Sequence, residues 1–534
     1  MTGRITSARH GWRHLLAATA IGVAAFAGGA RAQDSTMGMR SGPLSIDPHF
    51  SSAGQHASAL RNVFDALVRR SADMKLEPNL AESWSRVDDV TWEFRLRRDV
   101  RWHDGTPFTA NDVKFSVERI PTVVAGTGGL GAYVRSIRET VVVDDHTVRF
   151  LTHGPSATLI AELDRVFIVQ ARAAQGADNA AFRSGGAAIG TGPYRYVSWE
   201  PRGDLVLERF DGYWGRRAHF RRVTMREISN DSARVAALLS GNVDLINYVP
   251  PASVSTLNRT ADMQVLQVPS IYVFLLHPDG RDVSPLVTDN DGRPFAQSPF
   301  RDVRVRRALS LSINRNGMAR NIMEGMAEPA HTPLPSSFFG VPQGTGELRH
   351  DPAEGRRLLA EAGFPRGFRV QLHCTNDRFA GDARVCAALG QSLASIGITA
   401  EVNAQPTAVY FTNYTRGDYS LTMNGWGTLT GDATYMLASL LHTRGVNPRF
   451  GTFNRMRYSN PEVDRITRAS LEVVDEGERE RLVTQGIRIA MDDHAIIPII
   501  TLSAVWAINT RRLAFTARMD EETLALDARA PAAR

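Results

Sequence analysis

The run from Trp92 to Arg119, WEFRLRRDVRWHDGTPFTANDVKFSVER, restricts the fold more than any other part of the chain. Trp92, Phe94 and Leu96 alternate with Glu93, Arg95 and Arg97, the period of two expected of a half-buried strand. Trp102 to Pro107 then gathers turn formers, among which Gly105 can take positive φ at little cost. Thr109 is a good N-cap, and Asp112 places a carboxylate in the first turn, where the helix dipole favours it. Val113, Val117 and Ile120 fall at i, i+4 and i+7, so the helix carries one apolar stripe. A strand, a tight turn and a capped helix are expected in succession, and they imply no chemistry.

At 534 residues the chain exceeds the length over which one core keeps growing, so at least two lobes are expected. Residues 1–32 read separately. Arg4, Arg9 and Arg13 precede the apolar stretch Leu15 to Ala27, and Ala30-Arg31-Ala32 follows. That is the layout of a secretory signal peptide cleaved after Ala32, with an apolar part too short to span a bilayer. No Arg pair precedes Leu15, which favours Sec export over the twin-arginine route, and no cysteine marks a lipid anchor. Cleavage would remove four arginines and no acids, lowering the formal charge from +6 to +2. A nucleic-acid partner then loses its main support, and none is expected.

Chemistry-bearing patterns are sparse. Gly126-x-Gly128-x-x-Gly131 has the letters of a dinucleotide fingerprint but lacks a surrounding βαβ unit, and reads as a surface loop. The histidines are scattered, with no H-E-x-x-H, and G-x-S-x-G is absent, so no metal, cofactor or catalytic residue is expected. His103 in the turn reads as a hydrogen-bonded structural group. Cys374 and Cys386 are the only cysteines; they either form a disulfide worth roughly 3 kcal/mol or remain buried thiols.

Further elements follow from patterning. Tyr194–Trp199 and Leu205–Arg209 read as a hairpin, and Ser229–Gly241 as a helix capped by Asp231, with Val235, Leu238 and Leu239 as its stripe. The run from Val268 to His277 reads as a strand crossing into a second lobe, and that from Ile496 to Asn509 as the return strand. Helices are expected over 351–364 and 383–396, with a strand over 368–373. After Leu513 the pattern fades, and 528–534 reads as a frayed end.

The segment from Trp92 to Arg119 resembles, nearly letter for letter, the signature of the family 5 extracellular solute-binding proteins, the peptide, dipeptide, oligopeptide and nickel receptors of ABC importers. Asp47-Pro48-His49, the stretch from Asn62 to Trp84, GTGPYRYVSWEPRGDLVLERFDGYWG from Gly190 to Gly215, Ser240-Gly241-x-Val243-Asp244, and PFRDVRVRRALSLSINR from Pro299 to Arg315 resemble it in the same order. The resemblance covers nearly all of residues 35–515. It implies an α/β, two-lobed periplasmic binding protein of the cluster C type, with a hinge and an extra subdomain in the first lobe. The expected spans are 33–270 for the first lobe, with the inserted subdomain roughly over 55–185, 271–498 for the second, and 499–534 for the return and tail. Within 62–84 it implies an amphipathic helix burying Phe64, Leu67 and Val68 while Arg69 and Arg70 face water, then a short hairpin and the entry to the next sheet; over 299–315 it implies a second-lobe helix.

The function implied is a periplasmic receptor that captures a peptide or peptide-like ligand between its lobes and delivers it to an ABC permease. A monomer without enzymatic activity is expected; the alternatives are receptors for glutathione, an opine, a nickel complex or an oligosaccharide, or a secreted hydrolase. The loop most suited to ligand is NGWGTLTGDATY, from Asn424 to Tyr435, with glycines for close backbone approach, a flat Trp426, hydroxyls and one charge. Trp426, Gly427, Thr428, Leu429, Thr430 and Asp432 are therefore candidate ligand contacts, with His49 and Phe50 secondary. Dipeptide receptors carry an aspartate three residues after this tryptophan to pair with the ligand amine. Here Leu429 stands in that place, and Asp432 could supply the charge from a shifted position. The form G-W-x-x-x-T-G-D-A looks closer to the glutathione-binding branch.

Overall fold

The computed structural model describes residues 34–124, 129–445, 447 and 450–531. The expected signal peptide lies outside the described residues, as do Gly126 and Gly128; Gly131 opens the short helix Gly131–Val134.

Two long strands, Met263–Pro278 and Ile497–Asn509, run antiparallel and form the spine of the molecule. Both come from the long apolar runs singled out above. They organise a sheet that has twelve strands among the described residues. On one side, Ile497–Asn509 pairs with Leu245–Asn247, and then come Asp34–Met39, Arg222–Glu227 and the hairpin Tyr194–Trp199/Asp204–Arg209. On the other, Met263–Pro278 pairs with Leu421–Trp426, which pairs with Arg369–Thr375. The two halves bury separate cores, one around Phe64, Tyr194 and Trp506 and another around Phe274, Leu309 and Phe368. The result is an α/β fold in two lobes.

The spine breaks between them. Pro269 faces Ser503, but the next paired residue, Val273, faces Thr501, so Ser270, Ile271 and Tyr272 bulge opposite Leu502 alone. A second irregularity falls between Phe274 and Leu275, where the partner of Leu275 is Pro498, which has no N–H to give.

The signature segment forms the expected units. Strand Thr91–Leu96 sits in a separate four-stranded antiparallel sheet with Ala81–Asp88, Thr147–Thr152 and Ile137–Asp144. Helix Ala110–Arg119 begins with a capping box, the Asp112 carboxylate accepting the Thr109 N–H at 3.0 Å. Val113, Val117 and Ile120 pack with Phe94, Trp102 and Phe150 in a core of their own. The turn docks this sheet on the first lobe. Gly190 N–H donates to His103 Nδ1 at 3.2 Å, and His103 Nε2–H donates to the Gly192 carbonyl at 3.0 Å. That arrangement needs neutral imidazole, and burial lowers the His103 pKa to about 4. A Cβ on Gly190 or Gly192 would collide with the Val63 carbonyl, so the Gly-Thr-Gly step is set by close backbone approach.

Several expectations are corrected. The helix expected within 62–84 lies earlier, at Gly54–Leu60, where the Asn62 amide turns back on the Ser58 and Ala59 carbonyls; the short hairpin is present, Val68–Arg70 pairing with Leu76–Pro78, but it begins at Val68, inside the span expected to be helical. Phe64, Leu67 and Val68 are buried, but Arg70 is half-buried and donates to the carbonyls of Met74 and Thr430. Helix Asp231–Leu239 is capped by Asn230, whose side chain accepts the Ala233 N–H, and Leu239 is exposed. The C-terminal segment is not frayed over its described part. Ala528 is buried and pairs with Phe515. Arg518 pairs with Asp520 at 2.6 Å, and Glu522 pairs with Arg61 and Arg165 at 2.8 and 3.1 Å. Paired charges hold this segment, which an apolar-period reading does not register. Cys374 and Cys386 are joined by a disulfide linking strand Arg369–Thr375 to helix Asp382–Ala394.

Candidate functional site

The break in the spine opens onto two adjoining cavities that share Asn247, Tyr248 and Glu521. The larger, of about 80 Å³, is walled by first-lobe residues such as Met39, Gly42 and Ser58, and by Leu429 of the second-lobe loop, with Tyr272 from the bulge. The smaller, about 40 Å³, lies between Pro251 and the second-lobe residues Met323, Met326 and Phe379. Arg40 of the first lobe donates to the Asp377 carbonyl across the same gap at 3.2 Å. Together these spaces hold a handful of waters, so a larger solute needs the lobes to part.

Glu521 is the polar centre of this site. Its carboxylate accepts Ser270 Oγ–H at 2.5 Å and Tyr248 Oη–H at 2.7 Å. Burial pushes its pKa up, outweighing those two hydrogen bonds. Glu521 and Tyr248 both hold left-handed backbone, φ 63° and 50°. Such conformations cost a non-glycine residue of order 1 kcal/mol and persist where the surroundings fix them. Here two strained residues 273 apart in sequence meet through one hydrogen bond. Neighbouring Asp520 also lines the cavity, but its charge is met by Arg518. Sequence patterning did not single out Glu521, Tyr248, Tyr272 or Ser270; the one available signal was the acidic triplet Asp520-Glu521-Glu522 in an otherwise unpatterned tail.

The structure separates the candidate residues of the Trp426 loop. Leu429 lines the larger cavity. Gly427 lies against Tyr272, whose ring a Cβ there would meet at 2.7 Å. Trp426, at the end of strand Leu421–Trp426, is 9% exposed; its ring packs with Tyr435 and Phe453, and its Nε1–H has no acceptor among the described residues. The Thr428 and Thr430 hydroxyls bond each other at 2.8 Å. Asp432 lines neither cavity and pairs with Arg479 at 2.6 Å, and the Arg479 guanidinium lies 3.9 Å from the Phe339 ring centroid.

His49 and Phe50 lie elsewhere in the first lobe. His49 accepts from Arg119 through Nδ1 and donates from Nε2 to the Phe167 carbonyl, at 2.9 and 2.8 Å. Arg119 also clamps Asp47 with both nitrogens, so this turn ties the inserted sheet to the first lobe. The Phe50 ring packs near His56. Among the described residues no group of three or more His, Cys, Asp or Glu converges as a metal site, and no helix is long and apolar enough to cross a membrane.

Comparison with known proteins agrees with this architecture. Glutathione-binding protein GsiB of Pectobacterium atrosepticum is 28% identical over 462 residues, covering 84% of this chain and 85% of its own length. The ABC transporter-associated periplasmic binding protein DppA from Helicobacter pylori, solved with the peptide STSA, superposes with a TM-score of 0.74 at 22% identity, covering 93% of this chain and 98% of its own. NikZ from Campylobacter jejuni, solved with Ni(L-His), gives 0.73 at 19% identity, with coverage of 91% and 96%. Residues 75–448 match the model for bacterial extracellular solute-binding proteins, family 5 middle region. The chain belongs to the family 5 bacterial extracellular solute-binding proteins.

Proposed function

We propose that the chain is an exported, monomeric receptor that encloses a peptide-like solute between its lobes and presents it to an ABC permease in the inner membrane. The observation that carries this reading is the placement of the cavities. They lie at the break in the two-strand spine and are walled by both lobes. Bending at Ser270–Tyr272 would part the lobes with little loss of strand pairing, and closure would bring Leu429 and Arg40 back across the gap. Residues 33–270 and 499–534 form one lobe in this account and 271–498 the other, with the signal peptide removed after Ala32 in transit to the periplasm. Glutathione is the preferred solute, because relatives aligned over 84% and 89% of this chain are named for binding it and because Leu429 replaces the aspartate of the dipeptide pattern.

Trp426, Thr428, Thr430 and Asp432 are assigned to shaping the loop, and Gly427 and Leu429 to contact with solute. Binding requires no covalent step; affinity comes from burying the solute among apolar walls with a few placed polar groups. Native mass spectrometry of protein purified from periplasm, followed by thermal-shift screening against glutathione, short peptides, opines, oligosaccharides and nickel–histidine, tests the proposal. A solute carried and released unchanged supports it. Turnover of that solute by the purified protein points to a hydrolase instead.

A further inference from the structure

We propose that Glu521 is the anchor for a cationic nitrogen of the solute, so that the site selects ligands carrying a free primary amine. The inference rests on the receptor reading above and narrows its substrate class.

Three observations converge on this carboxylate. Glu521 lines both cavities, so a solute in either one can meet its carboxylate. Its hydrogen bonds to Ser270 and Tyr248 fix the carboxylate without neutralising it, since both partners are uncharged hydroxyls. Among the described residues it forms no ion pair, whereas its neighbours Asp520 and Glu522 pair with Arg518 and with Arg61 and Arg165. Arg40 is the nearby cation that acts on it at a distance, and the Arg40 guanidinium is engaged over the Tyr248 ring and with the Asp377 carbonyl. Glu521 is half-buried, and an oriented carboxylate with no ion-pair partner facing a cavity suits a cation that arrives with the ligand.

The walls fit the same guest. Tyr272 lines the larger cavity, and an aromatic ring near a carboxylate favours an ammonium group. Leu429 offers no charge, leaving Glu521 as the one acid without an ion pair lining this cavity among the described residues.

The test is calorimetric titration of the full chain with glutathione and tri-alanine, each also in N-acetylated form. For wild type, the free amines are expected to bind about tenfold to a hundredfold tighter than the capped peptides, the range for a charged hydrogen bond. Glu521→Gln, checked for a wild-type melting profile, is expected to bind free and capped forms alike at the weaker level. Equal affinity of wild type for free and capped peptides overturns the assignment and needs no variant. So does a folded Glu521→Gln protein that keeps the preference; in either case binding itself leaves the receptor reading standing. Failure of wild type to bind any of the four probes removes the peptide-receptor reading and this inference with it.

Discussion

Asp432→Asn separates a scaffold role from a ligand role for the one acid in the Trp426 loop. Asp432 and Arg479 meet at 2.6 Å with side chains 7% and 11% exposed. The carboxylate also accepts the Thr434 N–H at 2.8 Å, and Phe339 covers the guanidinium. Removing one charge strands the other in a site with little water. Such a break costs about 3–5 kcal/mol, and the isosteric amide, which keeps one acceptor, places the expectation near the lower figure. For a unit of the second lobe's size, about 2–4 °C per kcal/mol converts this to a melting temperature lowered by roughly 6–12 °C. Differential scanning calorimetry reads the shift, and titration with glutathione at a temperature where the variant is folded reads affinity. The expected outcome is a large loss of stability with affinity changed only a few-fold. The double variant Asp432→Leu/Arg479→Met, which removes both charges, should recover much of the loss. A variant that melts like wild type but no longer binds would refute the reasoning and return Asp432 to the ligand.

Four shorter predictions follow from the same structure. Gly427→Ala drives a methyl into the Tyr272 ring and should cost about 1–3 kcal/mol by overpacking, with weaker solute binding; unchanged affinity would detach Tyr272 from the site. Trp426→Ala should lower stability by about 3–5 kcal/mol, as for a core aromatic, and Trp426→Phe by much less; equal melting of the two variants contradicts that placement. Burial lowers the pKa of His49, His56, His103 and His277 to about 4 each. The unfolded chain, with histidine near 6.5, therefore binds more protons between those values. Stability should be full above about pH 6.5 and fall toward pH 4, by up to about 3 kcal/mol per site. A melting temperature flat across that window would contradict neutral burial. Reducing Cys374–Cys386 should cost roughly 3 kcal/mol, read as a lower urea midpoint; no change would mean the link constrains nothing.

The scaffold was legible because its signals are local. Alternation at Trp92–Leu96, the Thr109–Asp112 cap and the long apolar runs each act within a few residues, and each forms the expected element. The family's loop was legible as a word, GWGTLTGDA, but not which of its letters face solute. Leu429 reaches the cavity while Asp432 turns to Arg479, 47 residues on, a pairing no local pattern announces. Glu521 was illegible for the same reason. Its partners Ser270 and Tyr248 lie 251 and 273 residues away, and its segment is held by ion pairs with no apolar period. The helix expected after Asn62 failed for a different reason: Asn62 caps the preceding turn, and Val68 enters a strand.

The central claim, enclosure of solute by movement of two lobes about the break in the spine, is tested most directly by small-angle X-ray scattering of the full mature chain with and without saturating glutathione. The account predicts a smaller radius of gyration on addition, with a scattering curve approaching that calculated from the closed arrangement described above. Superimposable curves from free protein and from protein shown by calorimetry to be saturated would contradict it.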